Sequence, residues 1–309
     1  MNNERLRNAA GSAPELTTAL FFGCPAQFGC VECNLRGRAY IMTIDKAKQL
    51  RSFLWLVIAG AAGASQAAEL QCSAKSGPMS ATVLELYTSE GCNSCPPTDK
   101  WVSELQRNGF SGDKVIPLAM HVDYWDYIGW KDRFSNPDFS RRQKAISHTN
   151  GSGVVYTPQV VINGKDLRLH DSYAKLREQV NLMSSKPPRA EIQLALQQSE
   201  PASIRISGSV QLASSVTRPR AAVFLAFYEN HLSSEVKAGE NRGVKLEHDY
   251  VVRRLVGPLL PDASGKLQIE QKLALDPAWK VKDSGVTAFV QDSVSGDVLQ
   301  ALQLPWCGA

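Results

Sequence analysis

Apolar residues along this chain first recur in short blocks that alternate between strand and helix spacing, then settle into a series of strands. Residues 82–88, Thr-Val-Leu-Glu-Leu-Tyr-Thr, are rich in β-branched, aliphatic and aromatic side chains and predict a strand. Ser89, Glu90 and Gly91 break it, and Cys92 to Cys95 follow. Pro96 and Pro97 suit a first helical turn, where the missing N–H has no partner in any case. Trp101, Val102 and Leu105 then mark an apolar helix face. Residues 114–125 predict the next strand, and 129–134 a loop. Residues 137–148 predict a helix with Asn136 as N-cap. Gly151 to Gly153 end that helix, and 159–162 predict a strand behind Thr157-Pro158. Asn163-Gly164 is a strong hairpin signal, leading to a short strand near 167–169. Asp171 is the expected cap of a last helix over 172–183, with Tyr173, Leu176, Val180 and Met183 along one face.

The chain changes character after Lys186-Pro187-Pro188, which reads as a linker. Segments 190–196, 203–212, 221–229, 248–255, 266–275 and 285–291 all predict strands, with turn signals at Ser264-Gly265 and Ser295-Gly296. Strands in series with turns between them predict a β-sandwich. In the first half the order is strand, C-x-x-C, helix, strand, helix, Pro-strand, hairpin, strand, helix, which is the order of a thioredoxin fold. The expected fold class is therefore α/β, thioredoxin-like with a central mixed sheet flanked by helices over 78–186, followed by an all-β sandwich-like domain over 189–309.

Upstream, Lys46, Lys48 and Arg51 precede an apolar run from Phe53 to Ala62 and then small residues fitting a cleavage site, so 42–68 reads as a signal peptide. The run is too short to span about 30 Å of hydrocarbon comfortably, so no stable membrane anchor is expected after cleavage. Because a signal starts at a true N-terminus, 1–41 reads as a mis-annotated extension, and its Cys30-x-x-Cys33 is set aside. The expected location is periplasmic or secreted. Charge refines this picture. Residues 1–67 carry seven Lys/Arg and four acids, leaving 27 basic and 26 acidic residues beyond them, a net of +1. A nearly neutral body argues against nucleic acid as a partner, since phosphate binding needs clustered positive charge.

Four cysteines remain after cleavage, an even number suited to an oxidising compartment. Cys92 and Cys95 form one pair. Cys72 and Cys307, near the two mature ends, are candidates for a structural disulfide. Two cysteines at a helix start feel its unpaired N–H groups and positive dipole, which favour thiolate. Cys92, the more N-terminal and expected exposed sulfur, is the nucleophile of this reading, and Cys95 resolves the mixed disulfide. The competing reading is a structural disulfide that never turns over. Thioredoxin-like proteins set a cis-proline against the cysteines, and Thr157-Pro158 stands where one is expected. His121, Asp123 and Trp125 share one face on period-two alternation, with Asp126 just beyond, and suit proton transfer; a packed aromatic loop is the alternative. Glu85, inside the strand before the cysteines, is a proton-acceptor candidate or else a packed, paired acid. Thiolates with imidazole also suit a copper or other metal site at Cys92, Cys95 and His121, which is loosely similar to thioredoxin-fold copper chaperones. Otherwise no cofactor is expected. No chemistry follows from residues 239–253, distinctive as they are; His248 and Arg253 are expected on a sheet surface.

The segments 85–97, 121–134, 156–159 and 239–253 together resemble an uncharacterised family of bacterial secreted proteins, a domain of unknown function with a thioredoxin-like fold. The resemblance covers nearly all the mature chain and implies export and that fold. The sequence departs from thioredoxin itself: Asn93-Ser94 stand between the cysteines, no Trp precedes Cys92, and two prolines follow Cys95. The activity expected is thiol–disulfide oxidoreduction with protein thiols or disulfides as substrates. The alternatives are the metal site and a non-catalytic secreted binding module.

Overall fold

The computed structural model describes residues 71–308 apart from 168–171, 201 and 218–219. The expected extension and signal peptide, with Leu169 and Asp171, lie outside the described residues. After β1 (Gln71–Lys75), the continuous apolar runs become β2 (Thr82–Thr88) and β3 (Val115–His121), buried at every position. They run parallel, from Thr82 opposite Val115 to Thr88 opposite His121. Parallel strands covered on both faces require this lack of alternation. α1 (Pro96–Ser103) makes the crossover between them. α2 (Pro137–Thr149) is capped by the Asn136 side chain, which accepts from the Asp138 amide. β4 (Gln159–Ile162) then joins the other edge of β2 antiparallel, and β5 (Lys165–Asp166) folds back on it. Asn163 and Gly164 both have positive φ, 46° and 78°, as a two-residue hairpin turn demands. That tight turn starts the return strand at Lys165, ahead of the 167–169 expected from the sequence. α3 (Tyr173–Ser184) takes Ser172 as its cap, through the Lys175 amide.

The second half supplies β6 (Ala190–Glu200), β7 (Ser203–Leu212), β8 (Ala221–Glu229), β9 (Leu232–Glu235), β10 (Lys245–His248), β11 (Val251–Leu259), β12 (Lys266–Ala274), β13 (Ser284–Asp292) and β14 (Val298–Pro305). The result is a mixed α/β fold with few helices, many strands and one large mixed sheet. That eight-stranded sheet has the order β14-β13-β8-β11-β3-β2-β4-β5 and so takes strands from both halves. A four-stranded sheet, β1-β6-β7-β12, packs against the β8, β13 and β14 side of it around Ile192, Leu194, Val223, Leu225, Ile269 and Val286. Leu84 and Leu86 of β2 face Trp101 and Val102 of α1 and Leu176 and Val180 of α3. Val83 and Tyr87 face Phe139 and Ile146 of α2.

The halves meet where β11 runs parallel to β3. Val251 stands opposite Ala119, and the Ala119 amide donates to the Tyr250 carbonyl at 2.8 Å. The hydrogen-bonded sheet thus continues past the linker, and the described residues form one compact unit. Composition showed the change of strand pattern but not the pairing across it. Two further links close the chain on itself. A disulfide joins Cys72 in β1 to Cys307, just past β14. At the other rim, Gly164 packs against the Gly296 carbonyl so closely that a Cβ there would collide with backbone. Among the described residues no helix is long and apolar enough to cross a membrane.

Two outcomes follow for stability. Replacing Cys72 and Cys307 by Ala is expected to cost about 4–5 kcal/mol, because the crosslink spans 235 residues and the entropy removed from the unfolded chain grows with loop length. Gly164→Ala is expected to cost at least about 1–3 kcal/mol for its left-handed backbone, with the clash added. Urea unfolding of each variant measures both.

Candidate functional site

The cysteine loop leaves the C-terminal end of β2. The Cys92 amide turns back to Ser89 O at 3.1 Å, and the Cys95 amide to Cys92 O at 3.2 Å. Cys95 is the N-cap of α1, and its carbonyl takes the Thr98 and Asp99 amides at 3.0 Å each. Cys92 and Cys95 are joined as a disulfide, with Cα atoms 5.5 Å apart. Both are buried, at 1% and 0% exposure, so Cys92 is not the exposed sulfur the sequence suggested. The cover comes from two segments distant in sequence. On one side Gly91 lies against Trp125 and Ile128, where a Cβ would sit 3.2 Å from Trp125 Cβ. On the other, Asn241 Nδ2 donates to Glu90 O at 2.8 Å and to Cys92 O at 3.0 Å. Glu240 Oε2 accepts the Asn93 amide at 3.1 Å.

The first of these segments begins where β3 ends. Strand alternation stops at His121, so His121, Asp123 and Trp125 do not share a face. His121 Nδ1 pairs with Asp132 Oδ2 at 2.6 Å. The same Asp132 oxygen accepts the Glu90 amide at 2.9 Å, and Oδ1 accepts the Phe134 amide at 2.8 Å. Asp123 accepts from the Ser140 hydroxyl. Asp126 braces the loop, accepting the Asp132 amide at 3.2 Å and the Ser135 hydroxyl at 2.7 Å. Trp125 Nε1 donates to Thr157 Oγ1 at 2.7 Å, and Thr157–Pro158 is a cis bond. Since Gln159 pairs with Tyr87, Pro158 lies at the same sheet end as the cysteine loop. Asp123 and Asp126 are thereby structural braces, and Trp125 links the two loops.

Behind the disulfide lies a buried group of ionisable side chains: Glu90, Asp99, His121, Asp132 and His248. His248 Nε2 is 3.4 Å from Glu90 Oε1, and Trp130 Nε1 donates to Glu90 Oε2 at 2.8 Å. The His121, Phe134 and His248 rings meet edge to face, 5.0 to 5.7 Å between centroids. Burial pushes the His121 imidazole down, but the Asp132 charge and hydrogen bond outweigh it and hold the pKa above its usual range. Burial pushes Asp132 up, and His121 with two backbone amides brings it below the carboxylate range. Burial also pushes Glu90 up, and its bonds to His248, Ser234 and Trp130 reverse the shift. Asp99 differs: burial raises its pKa and the nearby His248 and His121 offset this only in part. The pocket thus holds an ion pair, an anion and a carboxyl with elevated proton affinity on the helix that starts at Cys95.

Sequence reasoning missed His248, Glu240, Asn241, Glu90 and Asp99. The 239–253 segment stood out as a string, but only the fold carries it to the cysteines. His248 is buried, not on a sheet surface. Arg253 stacks 5.0 Å from the Phe134 ring centroid and stands 3.3 Å from Glu229. Glu85 is corrected in the other direction. It points with Val83 and Tyr87 away from α1, where Arg142 holds it at 2.7 and 2.8 Å and Tyr87 donates at 2.7 Å. It is a paired core acid on the face turned away from the helix that carries the cysteines. The metal set of Cys92, Cys95 and His121 is likewise not assembled. The sulfurs are bonded to each other and His121 Nδ1 to Asp132, and among the described residues no group of three or more His, Cys, Asp or Glu is placed to hold an ion.

A family profile described as "Protein of unknown function (DUF1223)" matches residues 83–291, a span that takes in the cysteine loop, the 121–134 loop, Thr157–Pro158 and His248. The chain belongs to this family. No curated protein matches it. Two solved structures resemble this DUF1223 protein in fold. One, a structural-genomics target from Agrobacterium tumefaciens, is 24% identical with a TM-score of 0.52, over 72% of this chain and 93% of that one. The other, HBP35 of Porphyromonas gingivalis, is 17% identical with a TM-score of 0.58, over 75% of this chain and 79% of that one. At these identities the likeness concerns the fold alone.

The His121–Asp132 pair sets a pH dependence. His121 holds its proton more tightly folded than unfolded, so its contribution is complete below the unfolded value of about 6.5 and is lost as pH rises through the elevated folded value. Asp132 is held low, so its contribution is complete above its unfolded value of about 3.9 and is lost as pH falls through the folded one. Asp132→Asn is expected to cost about 3–5 kcal/mol near neutrality and to remove the alkaline decline due to His121. Urea unfolding across pH, with the His121 imidazole followed by NMR, measures it; an unmoved imidazole titration would show that Asp132 does not hold that proton.

Proposed function

We propose that this DUF1223 protein is an exported thiol–disulfide oxidoreductase whose redox couple is Cys92–Cys95, carried on a thioredoxin-like unit formed by the first half. The observation that carries the reading is the disulfide at the N-terminus of α1 with buried acid and imidazole groups gathered on the loop and helix that flank it. A helix N-terminus favours thiolate, and the ionised Glu90 and Asp132 oppose it, with His121 offsetting one of the two. Asp99, four residues after Cys95 on one helix face and with its pKa raised by burial, is the proposed acid–base partner for the resolving sulfur. The order of β2, α1, β3, α2, β4, β5 and α3, with Pro158 beside the cysteine loop, supports the thioredoxin-like assignment. Two disulfides support an oxidising, extracytoplasmic compartment. Protein thiols or disulfides are the proposed substrates.

A second reading is favoured by one specific observation. Neither sulfur is open to solvent, as befits a structural staple in a secreted binding module. Equilibrating the protein in glutathione redox buffers and following the Cys92–Cys95 peptide by mass spectrometry separates the two. A potential between about −270 and −120 mV, the span of dedicated oxidoreductases, is expected. A pair that stays oxidised far below that span overturns the catalytic reading in favour of the staple.

A further inference from the structure

The segment between β8 and β11 leaves the large sheet and forms its own two-stranded hairpin, β9 with β10. Its base and its tip both return to the cysteine loop. At the base, His248 of β10 faces Glu90 at 3.4 Å, and Arg133 donates to Ser233 O at 2.6 Å. At the tip, Gly239 has φ +73° and would meet Trp130 Cβ at 3.2 Å if it carried a Cβ. Beyond it, Glu240 and Asn241 take three backbone groups of the loop: the Asn93 amide and the carbonyls of Glu90 and Cys92. Bonds to backbone grip the loop irrespective of its side chains and fix its path. Asn241 itself is buried at 6%, but the tip around it is open: Glu240 is exposed, Val244 is exposed at 43%, and the tip closes on itself through backbone bonds from Val236 N to Val244 O and from Gly243 N to Val236 O.

We propose that the β9–β10 hairpin is a gate over the disulfide, latched by Glu240 and Asn241, and that thiols reach Cys92 only when the tip lifts. The proposal rests on the redox reading for its biological use. The closure itself is independent of it, since a staple would be covered by the same latch. The step that the gate controls is thiol–disulfide exchange. A thiolate attacks Cys92 Sγ, forming a mixed disulfide while the Cys92–Cys95 bond breaks and its electron pair leaves on Cys95 Sγ as thiolate, which then takes a proton. With dithiothreitol, the second thiol of the reagent, as thiolate, attacks its own sulfur in the mixed disulfide. Cys92 is released as thiolate and protonated, and the reagent is oxidised to its cyclic disulfide. Attack needs approach to Cys92 Sγ along the S–S axis, which a sulfur buried to 1% does not admit.

Stopped-flow reduction of the protein by dithiothreitol tests the gate, with Cys92–Cys95 opening read by peptide mass spectrometry after acid quench. The wild-type rate is expected to level off with rising reagent, because lifting becomes limiting. Glu240→Ala, an exposed change, is expected to speed reduction several-fold, and Asn241→Ala about tenfold or more. In both, the Asn93 amide should exchange with deuterium faster while the Phe289 amide in β13 keeps its wild-type protection. Rates equal to wild type in both variants would overturn the gate. So would an acceleration that merely tracks a lowered urea midpoint, since that reports global unfolding. A redox potential outside the oxidoreductase span with accelerated variants would retain the gate and discard the redox function. A potential inside the span with unaccelerated variants would do the reverse.

Discussion

Ionised side chains taken out of water must find partners, and in this protein that requirement fixes the seam on which everything else is arranged. Asp132 alone receives an imidazole and two backbone amides from three segments: the end of β3, the cysteine loop and its own loop. Glu90 is answered by Trp130 from that same loop and by His248 from the second half. Leaving any one of these buried and unpaired would cost several kcal/mol. The cysteine loop, the 121–134 loop and the β9–β10 hairpin therefore hold one another in place, and Cys92 lies beneath them.

The large sheet makes this convergence possible. Parallel pairing of β2 with β3 sends both strand ends to the same rim, where Thr88 and His121 stand side by side. Continuing the sheet from β3 into β11 brings the preceding hairpin to that rim as well. A second charged group, Glu85 with Arg142 and Tyr87, lies on the opposite face of β2 and extends through Gln291 to β13. Two polar systems thus flank the strand: one on its face joins α2 to β13, and the other gathers past its end at the cysteine loop.

Burial of both sulfurs gives the two functional readings their sharpest difference. A redox couple must be reached, and a staple need not be. The latch of Glu240 and Asn241 reconciles burial with chemistry, because three hydrogen bonds at a hairpin tip are weak enough to open while the core stays folded.

Local chemistry alone was enough to read β2, β3, α2, the Asn163-Gly164 turn and the cysteine pair from the sequence. Each is specified by neighbours in the chain: an uninterrupted apolar run, an Asn cap just ahead of Pro137, two residues able to adopt positive φ, two cysteines at a helix start. The family likeness of segments 85–97, 121–134, 156–159 and 239–253 was legible for the same reason. What the tertiary structure decided is everything that depends on partners far along the chain. Glu85 and Glu90 are both acids near the cysteines in sequence, yet strand alternation turns Glu85 away to Arg142 while the loop turns Glu90 inward to His248. Asp123 and Trp125 left their expected face because β3 ends at His121. Asn241 reaches the Cys92 carbonyl across 149 residues and His248 reaches Glu90, separations that the pairing of β11 with β3 bridges.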